Sequence, residues 1–220
     1  MPLRLDPHWF TLADAFYKVA ILGNNVDRSS LTPEHGTIWV LALLIAACGS
    51  QKPPESFGFP ARLPAQITSA THGGDALDFS TEPVAIADGR IYLACDGSRI
   101  LLDIGPGSGK WASYYHVYQS RFDDGALVKA GDVLADLART RTDALGCDGF
   151  WTNPHLHFEI YEFRPASTDW DGISTASYTL GGWYQDPEAT GRDGALLHAE
   201  HGRRTQWDFV EVADEMPETP

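Results

Sequence analysis

Positive charge is scarce in this sequence: sixteen Lys and Arg face thirty Asp and Glu, a formal net charge of -14 at pH 7. Functions that work by neutralising phosphates, nucleic-acid binding above all, are argued against, and acidic polymers are repelled. Cysteine is scarce too. Three of them rule out a dense disulfide scaffold, and their odd number leaves one to be accounted for. Long hydrophobic runs are also missing: the uncharged stretch TIWVLALLIAAC at 37–48 has twelve residues, whereas a membrane-spanning helix needs about 20. Long helical periods are absent between Leu77 and Phe163. What the chain has in quantity is turn-formers, 21 Gly and 14 Pro, on a 43% hydrophobic and 21% charged background. That composition excludes a disordered polyanion and a coiled coil, and 220 residues suffice for one medium domain with tails.

Cys48 accounts for the odd cysteine. The apolar run ends in Ile45-Ala46-Ala47-Cys48, which resembles the lipobox of a lipoprotein signal. On this reading residues 1–48 are a leader, either long or started downstream of Met1, because 36 residues precede the run. Cys48 becomes a lipidated anchor on a membrane. Residues 49–70, rich in Pro, are expected to be a tether reaching about 70 Å when extended. Gly49 offers no inner-membrane retention Asp. The expected location is therefore outside the cytoplasm, on a membrane facing the cell wall, the outer one where there are two.

Beyond the tether, short runs of β-branched and aromatic residues are broken by Asp88-Gly89, Asp96-Gly97 and Asp124-Gly125. Ile91, Leu93 and Cys95 alternate on one strand face, and Ile100, Leu102 and Ile104 on another. The fold class expected is all-β, an antiparallel sheet or barrel-sandwich core with long loops, over residues 71–163. Residues 164–220 read as an appended turn-rich segment and tail.

Chemistry concentrates in three stretches. In NPHLHFEIY, His155, His157, Glu159 and Tyr161 share one strand face while Leu156, Phe158 and Ile160 take the other. Two imidazoles at i and i+2 reach one metal, or divide between ligation and proton transfer. In THGGDALDFS, Asp78 lies on the polar face of a Leu-Asp-Phe strand, after a Gly-rich loop carrying His72, with Asp75 a less well placed oxygen donor. His72, Asp78 and one later imidazole would give three protein ligands and leave a fourth position for water, as zinc hydrolysis requires. In WASYYHVY, strict alternation puts His116 with Tyr114 and Tyr118, and Tyr115 on the other face.

In order and type these residues resemble the lysostaphin-type (LytM-like) zinc metallopeptidases, especially their β-lytic branch, over Thr71 to Phe163. The matching elements are His72, Asp78, Tyr114-Tyr115-His116, the turn Leu127 to Leu134 and His155-Leu156-His157-Phe158. The resemblance implies one zinc held by His72, Asp78 and His157, with His116 and His155 as catalytic imidazoles. It also implies a disulfide between Cys95 and Cys147 and a substrate among the peptide cross-links or bridges of peptidoglycan. Tyr114 would be a candidate oxyanion donor.

Competing patterns are incomplete. His157-Phe158-Glu159 lacks the Pro-Cys-x-x-Cys of nucleobase deaminases, and His198-Ala199-Glu200-His201 has its histidines three apart rather than four, so it reads as a solvated charged face. Gly105 to Lys110 lacks the first Gly and the Ser or Thr of a phosphate loop and reads as a hairpin loop. A lipoyl-type carrier would need a Met-Lys-Met that is absent. A silent wall-binding module of the same fold stands as the alternative to an enzyme.

Overall fold

The computed structural model describes residues 55–72, 76–105, 108–147, 149–166, 172–173, 177–186 and 195–214. The stretch expected to be a leader, with Cys48, and also Asp75 and the side chain of His72, lie outside the described residues.

Eight strands form the main sheet. In chain order they are β2 (Ala65–His72), β3 (Ala76–Phe79), β4 (Gly89–Ala94), β5 (Arg99–Ile104), β6 (Trp111–Tyr115), β8 (Leu127–Val128), β10 (Leu156–Tyr161) and β15 (Phe209–Val210). Their order across the sheet is β15-β2-β3-β10-β6-β5-β4-β8. Every pairing is antiparallel. The fold is all-β with antiparallel sheets, as the alternating sequence predicts. Shorter pieces complete it: β1 (Glu55–Phe57) pairs with β11 (Tyr178–Leu180), β7 (Val117–Tyr118) with β9 (Asp136–Leu137), and β12 (Tyr184–Gln185), β13 (Leu196–His198) and β14 (Gly202–Arg204) form a third sheet. The single α-helix among the described residues, α1 (Arg141–Ala144), is N-capped by Thr140, whose side chain accepts from Asp143 N.

Period-two alternation sends Leu77, Phe79, Ile100, Leu102, Tyr114, Phe158 and Ile160 into one hydrophobic core. Each such side chain, taken fully out of water, contributes roughly 1.5–3 kcal/mol. The opposite face carries Asp78, Arg99, Ser113, Glu159 and Tyr161, and these are buried as well. Both faces of the central strands are therefore covered.

Two expected boundaries are corrected. From Glu55 onward the stretch expected to be tether belongs to the domain: Phe57, Phe59, Ala65 and Ile67 are buried in the core, and β2 is an inner strand of the main sheet. Prolines at 60 and 64 separate two short strands and so hide their alternation. The C-terminal segment is likewise part of the core, through Tyr178, Leu180, Trp183, Leu196 and Val210. Its last strand pairs Phe209 with Gln66 and Val210 with Ala65, covering the outer edge of β2. The His198–His201 stretch is a β13–β14 turn rather than a solvated face, because His198 is buried and its Nδ1 accepts from Glu200 N at 3.1 Å. Strands β5 and β6, which flank residues 105–110, pair antiparallel as a hairpin.

Cys95, in the turn between β4 and β5, is disulfide-bonded to Cys147, 52 residues later, with Cα atoms 4.8 Å apart. Constraining a loop of that length stabilises by about 4 kcal/mol through unfolded-chain entropy. A Cβ at Gly146 would collide with the Cys95 carbonyl, so only glycine admits the chain crossing there.

A chain ending at Phe163 is expected not to fold, since it strips β11 to β15 from the core, while Trp183→Ala in the full chain is expected to cost about 3–5 kcal/mol. Circular dichroism and denaturant unfolding check both, and a folded 71–163 fragment would overturn the corrected boundary.

Candidate active site

The central pairing β3–β10–β6 sets the site. His157 lies directly opposite Asp78 on one side and Tyr115 on the other. Opposed side chains on one face approach closely, and His157 Nδ1 is 3.1 Å from Asp78 Oδ1. Its other nitrogen, Nε2, faces Glu159 Oε2 at 3.5 Å. Behind Glu159 the Tyr161 hydroxyl donates to Oε2 at 2.5 Å. Arg99 Nη2 in turn donates to the Tyr161 oxygen at 3.1 Å. Arg99 also donates from Nε to Ser113 Oγ and from Nη1 to the Ala166 carbonyl. Glu159 is 1% exposed and Arg99 0%, so their charges are balanced by each other's hydrogen-bond network rather than by water. Burial, then the neighbouring Glu159, pushes the Tyr161 phenol up, which keeps it a hydrogen-bond donor.

The two remaining histidines are oriented by backbone carbonyls. His155, just before β10, places Nδ1 2.7 Å from the Asn153 oxygen. His116 places Nδ1 3.1 Å from the Ala144 oxygen at the end of α1. A carbonyl only accepts, so each Nδ1 carries the proton and each Nε2 keeps its lone pair. The rings stand edge to face, centroids 4.7 Å apart. His155 Nε2 is 3.8 Å from Asp78 Oδ2.

His116 reaches this face by breaking the alternation. Its φ of 63° ends β6 at Tyr115 and turns the imidazole to the Tyr115 side, ring centroids 4.2 Å apart. Left-handed backbone is uncommon outside glycine, though His is among the residues that adopt it. The kink is pinned by Ala138 N donating to the His116 oxygen and by Val117 N donating to Ser98 O. Tyr114 is correspondingly corrected: it is fully buried on the core face, packs on Phe158, and its hydroxyl accepts from Ile86 N. It cannot serve as an oxyanion donor.

Environment separates the histidines electrically. Burial lowers His116 to about 3, assisted by His155 and His157 and opposed by the Ala144 carbonyl, so it is neutral at physiological pH. Burial works in the same direction on His157, but the carboxylates of Asp78 and Glu159 outweigh it and raise that group to about 9. Asp78, His116, His155 and His157 all line one cavity of about 800 Å³, together with Tyr115 and Glu159.

Of the expected metal ligands, Asp78 and His157 converge. His72 closes β2, opposite Ala76 in the pairing that also sets Ser69 against Asp78, while its side chain is outside the described residues. Among the described residues no group of three His, Cys, Asp or Glu is arranged to hold a metal. Asp78 and His157 bring together donor types that fit zinc: one carboxylate oxygen and one imidazole nitrogen, the imidazole backed by the buried carboxylate of Glu159. Sequence reasoning assigned no role to Glu159, Tyr161 or Arg99, although alternation already places Glu159 and Tyr161 on the His157 face. Nothing in the sequence signals the two carbonyl acceptors.

A raised pKa in the folded state adds stability that is complete below the unfolded value and lost as pH rises through the folded one. For metal-free protein, the melting temperature is therefore expected to fall between pH 6.5 and about 9. Asp78→Asn is expected to flatten that fall, and calorimetry showing a pH-independent melting temperature in the parent would refute the coupling.

No protein-family profile and no curated protein sequence matches the chain. Among solved structures it is similar to the M23 metalloprotease pseudoalterin from the deep sea, at TM-score 0.58 and 17% identity, over 71% of this chain and 98% of that one. It also aligns with a zinc-containing peptidase from Vibrio cholerae at TM-score 0.38 and 20% identity, covering 54% of this chain and 41% of that one. For the catalytic domain of lysostaphin from Staphylococcus simulans the values are 0.35, 21%, 52% and 88%. Likenesses at those two scores carry no weight for the fold. The chain has the fold of the M23 metalloprotease pseudoalterin.

Proposed function

We propose that this protein is a zinc-dependent endopeptidase hydrolysing peptide cross-links or bridges of bacterial peptidoglycan. The observation that carries the reading is the convergence in one cavity of the Asp78–His157 pair with two imidazoles whose lone pairs are turned inward. The shared fold supports the peptidase class, and the sequence resemblance supports the wall substrate. Export, with lipidation at Cys48, is part of the same reading and accords with the Cys95–Cys147 disulfide, which needs an oxidising compartment.

His72, Asp78 and His157 would hold the zinc. The metal, when bound, would polarise the scissile carbonyl and lower the pKa of water toward neutrality. Glu159 accepts the Nε2 proton of His157 and so leaves the Nδ1 lone pair for ligation. His155 Nε2, on the Asp78 side, takes the proton from the attacking water. The same His155 nitrogen, protonated by that step, hands its proton to the leaving amine, while His116, neutral and edge-on to His155 with its Nε2 lone pair inward, accepts a hydrogen bond from the attacking water and aligns it. Tyr115 stays engaged with the Cys147 carbonyl at 3.0 Å and shapes the wall of the site.

Incubating the exported chain with purified peptidoglycan is expected to release soluble cross-link fragments at one zinc per chain. His157→Ala and Asp78→Ala should lose both metal and cleavage. His155→Ala and His116→Ala should retain zinc while cleavage falls about 10²–10⁴-fold. A zinc-loaded parent inert on several wall types would instead support a silent wall-binding module.

A further inference from the structure

Arg99 is buried and the proposed hydrolysis does not use it. Its side chain is wholly inside the protein, 0% exposed, and a guanidinium taken out of water needs several strong contacts to offset its lost hydration. Well-packed apolar residues in place of such a network would serve stability as well or better, so stability alone does not explain its presence. Its contacts do. Nε donates to Ser113 Oγ on β6 at 2.8 Å, Nη1 to the Ala166 carbonyl beyond β10 at 3.1 Å, and Nη2 to the Tyr161 hydroxyl oxygen on β10 at 3.1 Å. Three acceptors around one planar fork fix the guanidinium in place.

From there the contacts lead to one atom. The Tyr161 hydroxyl donates to Glu159 Oε2 at 2.5 Å, and the same oxygen faces His157 Nε2 at 3.5 Å. His157, Glu159 and Tyr161 are two apart on β10 and share a face, and Ser113 stands opposite Glu159 in the β6 pairing. Glu159 lines the cavity, whereas Arg99 and Tyr161 do not. The interposed phenol matters. A guanidinium set directly against Glu159 would take both carboxylate oxygens in a bidentate fork and turn them from the histidine. Through Tyr161 the cation reaches the carboxylate by a single O–H, and Oε2 keeps a lone pair for His157 Nε2.

We propose that Arg99 and Tyr161 are positioning residues of the zinc site: acting through Glu159, they hold the His157 imidazole at one rotation and so set how tightly the metal is bound. The inference rests on the zinc reading of Asp78 and His157 and adds residues two and three contacts away from the ligand. Outer partners of this kind work by restricting a ligand's orientation and strengthening it as a donor. Without the Tyr161 hydroxyl, Glu159 turns toward the Arg99 guanidinium, and His157 loses the fixed carboxylate behind its Nε2.

The effect is read as zinc affinity, by chelator competition on metal-free, full-length protein, alongside the melting temperature. Tyr161→Phe removes one oxygen, keeps the ring, and is expected to weaken zinc binding about 10–100-fold. Glu159→Gln is expected to weaken it too. In that background Tyr161→Phe should change affinity by less than about threefold, because the path to His157 is already cut. Arg99→Lys keeps the charge without the three-way fork, and a change in the same direction is expected. Unchanged zinc affinity in either of these two variants that folds, whatever its melting temperature, overturns the assignment and leaves the network purely architectural. So does failure of both to fold, or a full effect of Tyr161→Phe in Glu159→Gln protein. Parent protein that binds no zinc would instead refute the metal site itself, and the inference with it.

Discussion

Charged groups sealed from water on the second face of the central strands constrain the rest of this structure. Arg99, Glu159 and Asp78 are all buried, and a buried charge without a partner costs several kcal/mol. The solution is a continuous run of polar contacts from Ser113 and Arg99 through Tyr161 and Glu159 to His157 and Asp78. Because those residues sit on strands β3, β5, β6 and β10, satisfying them fixes the register of four neighbours at once. A slip of one residue in β10 would turn Glu159 and His157 into the core and Phe158 out of it. The same contacts that keep the sheet in register therefore hold the imidazole of His157 at a single rotation.

Much of this was legible in the sequence. Alternation in Leu156–Tyr161 separates His157, Glu159 and Tyr161 from Phe158 and Ile160, and the Leu-Asp-Phe stretch aims Asp78 at the same side, because both are regular strands with period two. Alternation failed at His116 for a local reason. One residue with positive φ shifts the phase, and histidine, unlike glycine, does not announce such a turn, so Tyr114 and Tyr115 exchanged their expected faces. The tether was overextended for a different reason: Pro60 and Pro64 resemble linker composition, but Phe57, Phe59 and Ile67 find partners only in tertiary structure. Backbone carbonyls at Asn153 and Ala144 carry no residue signature, so the tautomers of His155 and His116 were beyond any sequence pattern.

The terminal parts of the domain bear on the same centre. Strand β15 closes the free edge of β2, and the turn leading into it carries Trp207, which borders the cavity. One segment thus both protects a sheet edge and borders the cavity. Likewise, the stretch after α1 connects helix, disulfide and cavity wall within a few residues: Ala144 accepts from His116, Gly146 N donates to Ser98 Oγ, and Cys147 is bonded to Cys95 and accepts from Tyr115.

That last connection gives the disulfide a temporal meaning. Its 52-residue span encloses β5, β6 and His116, and it ends three residues beyond the carbonyl that sets the His116 tautomer. Hydrogen bonds and packing join the residues around His116 to the loop that steers it, and the disulfide closes them into one covalent ring. Oxidation therefore tightens the setting of the His116 imidazole by removing freedom from the loop that orients it. Completion of the fold and fixing of the His116 imidazole are then tied to the same two-electron step.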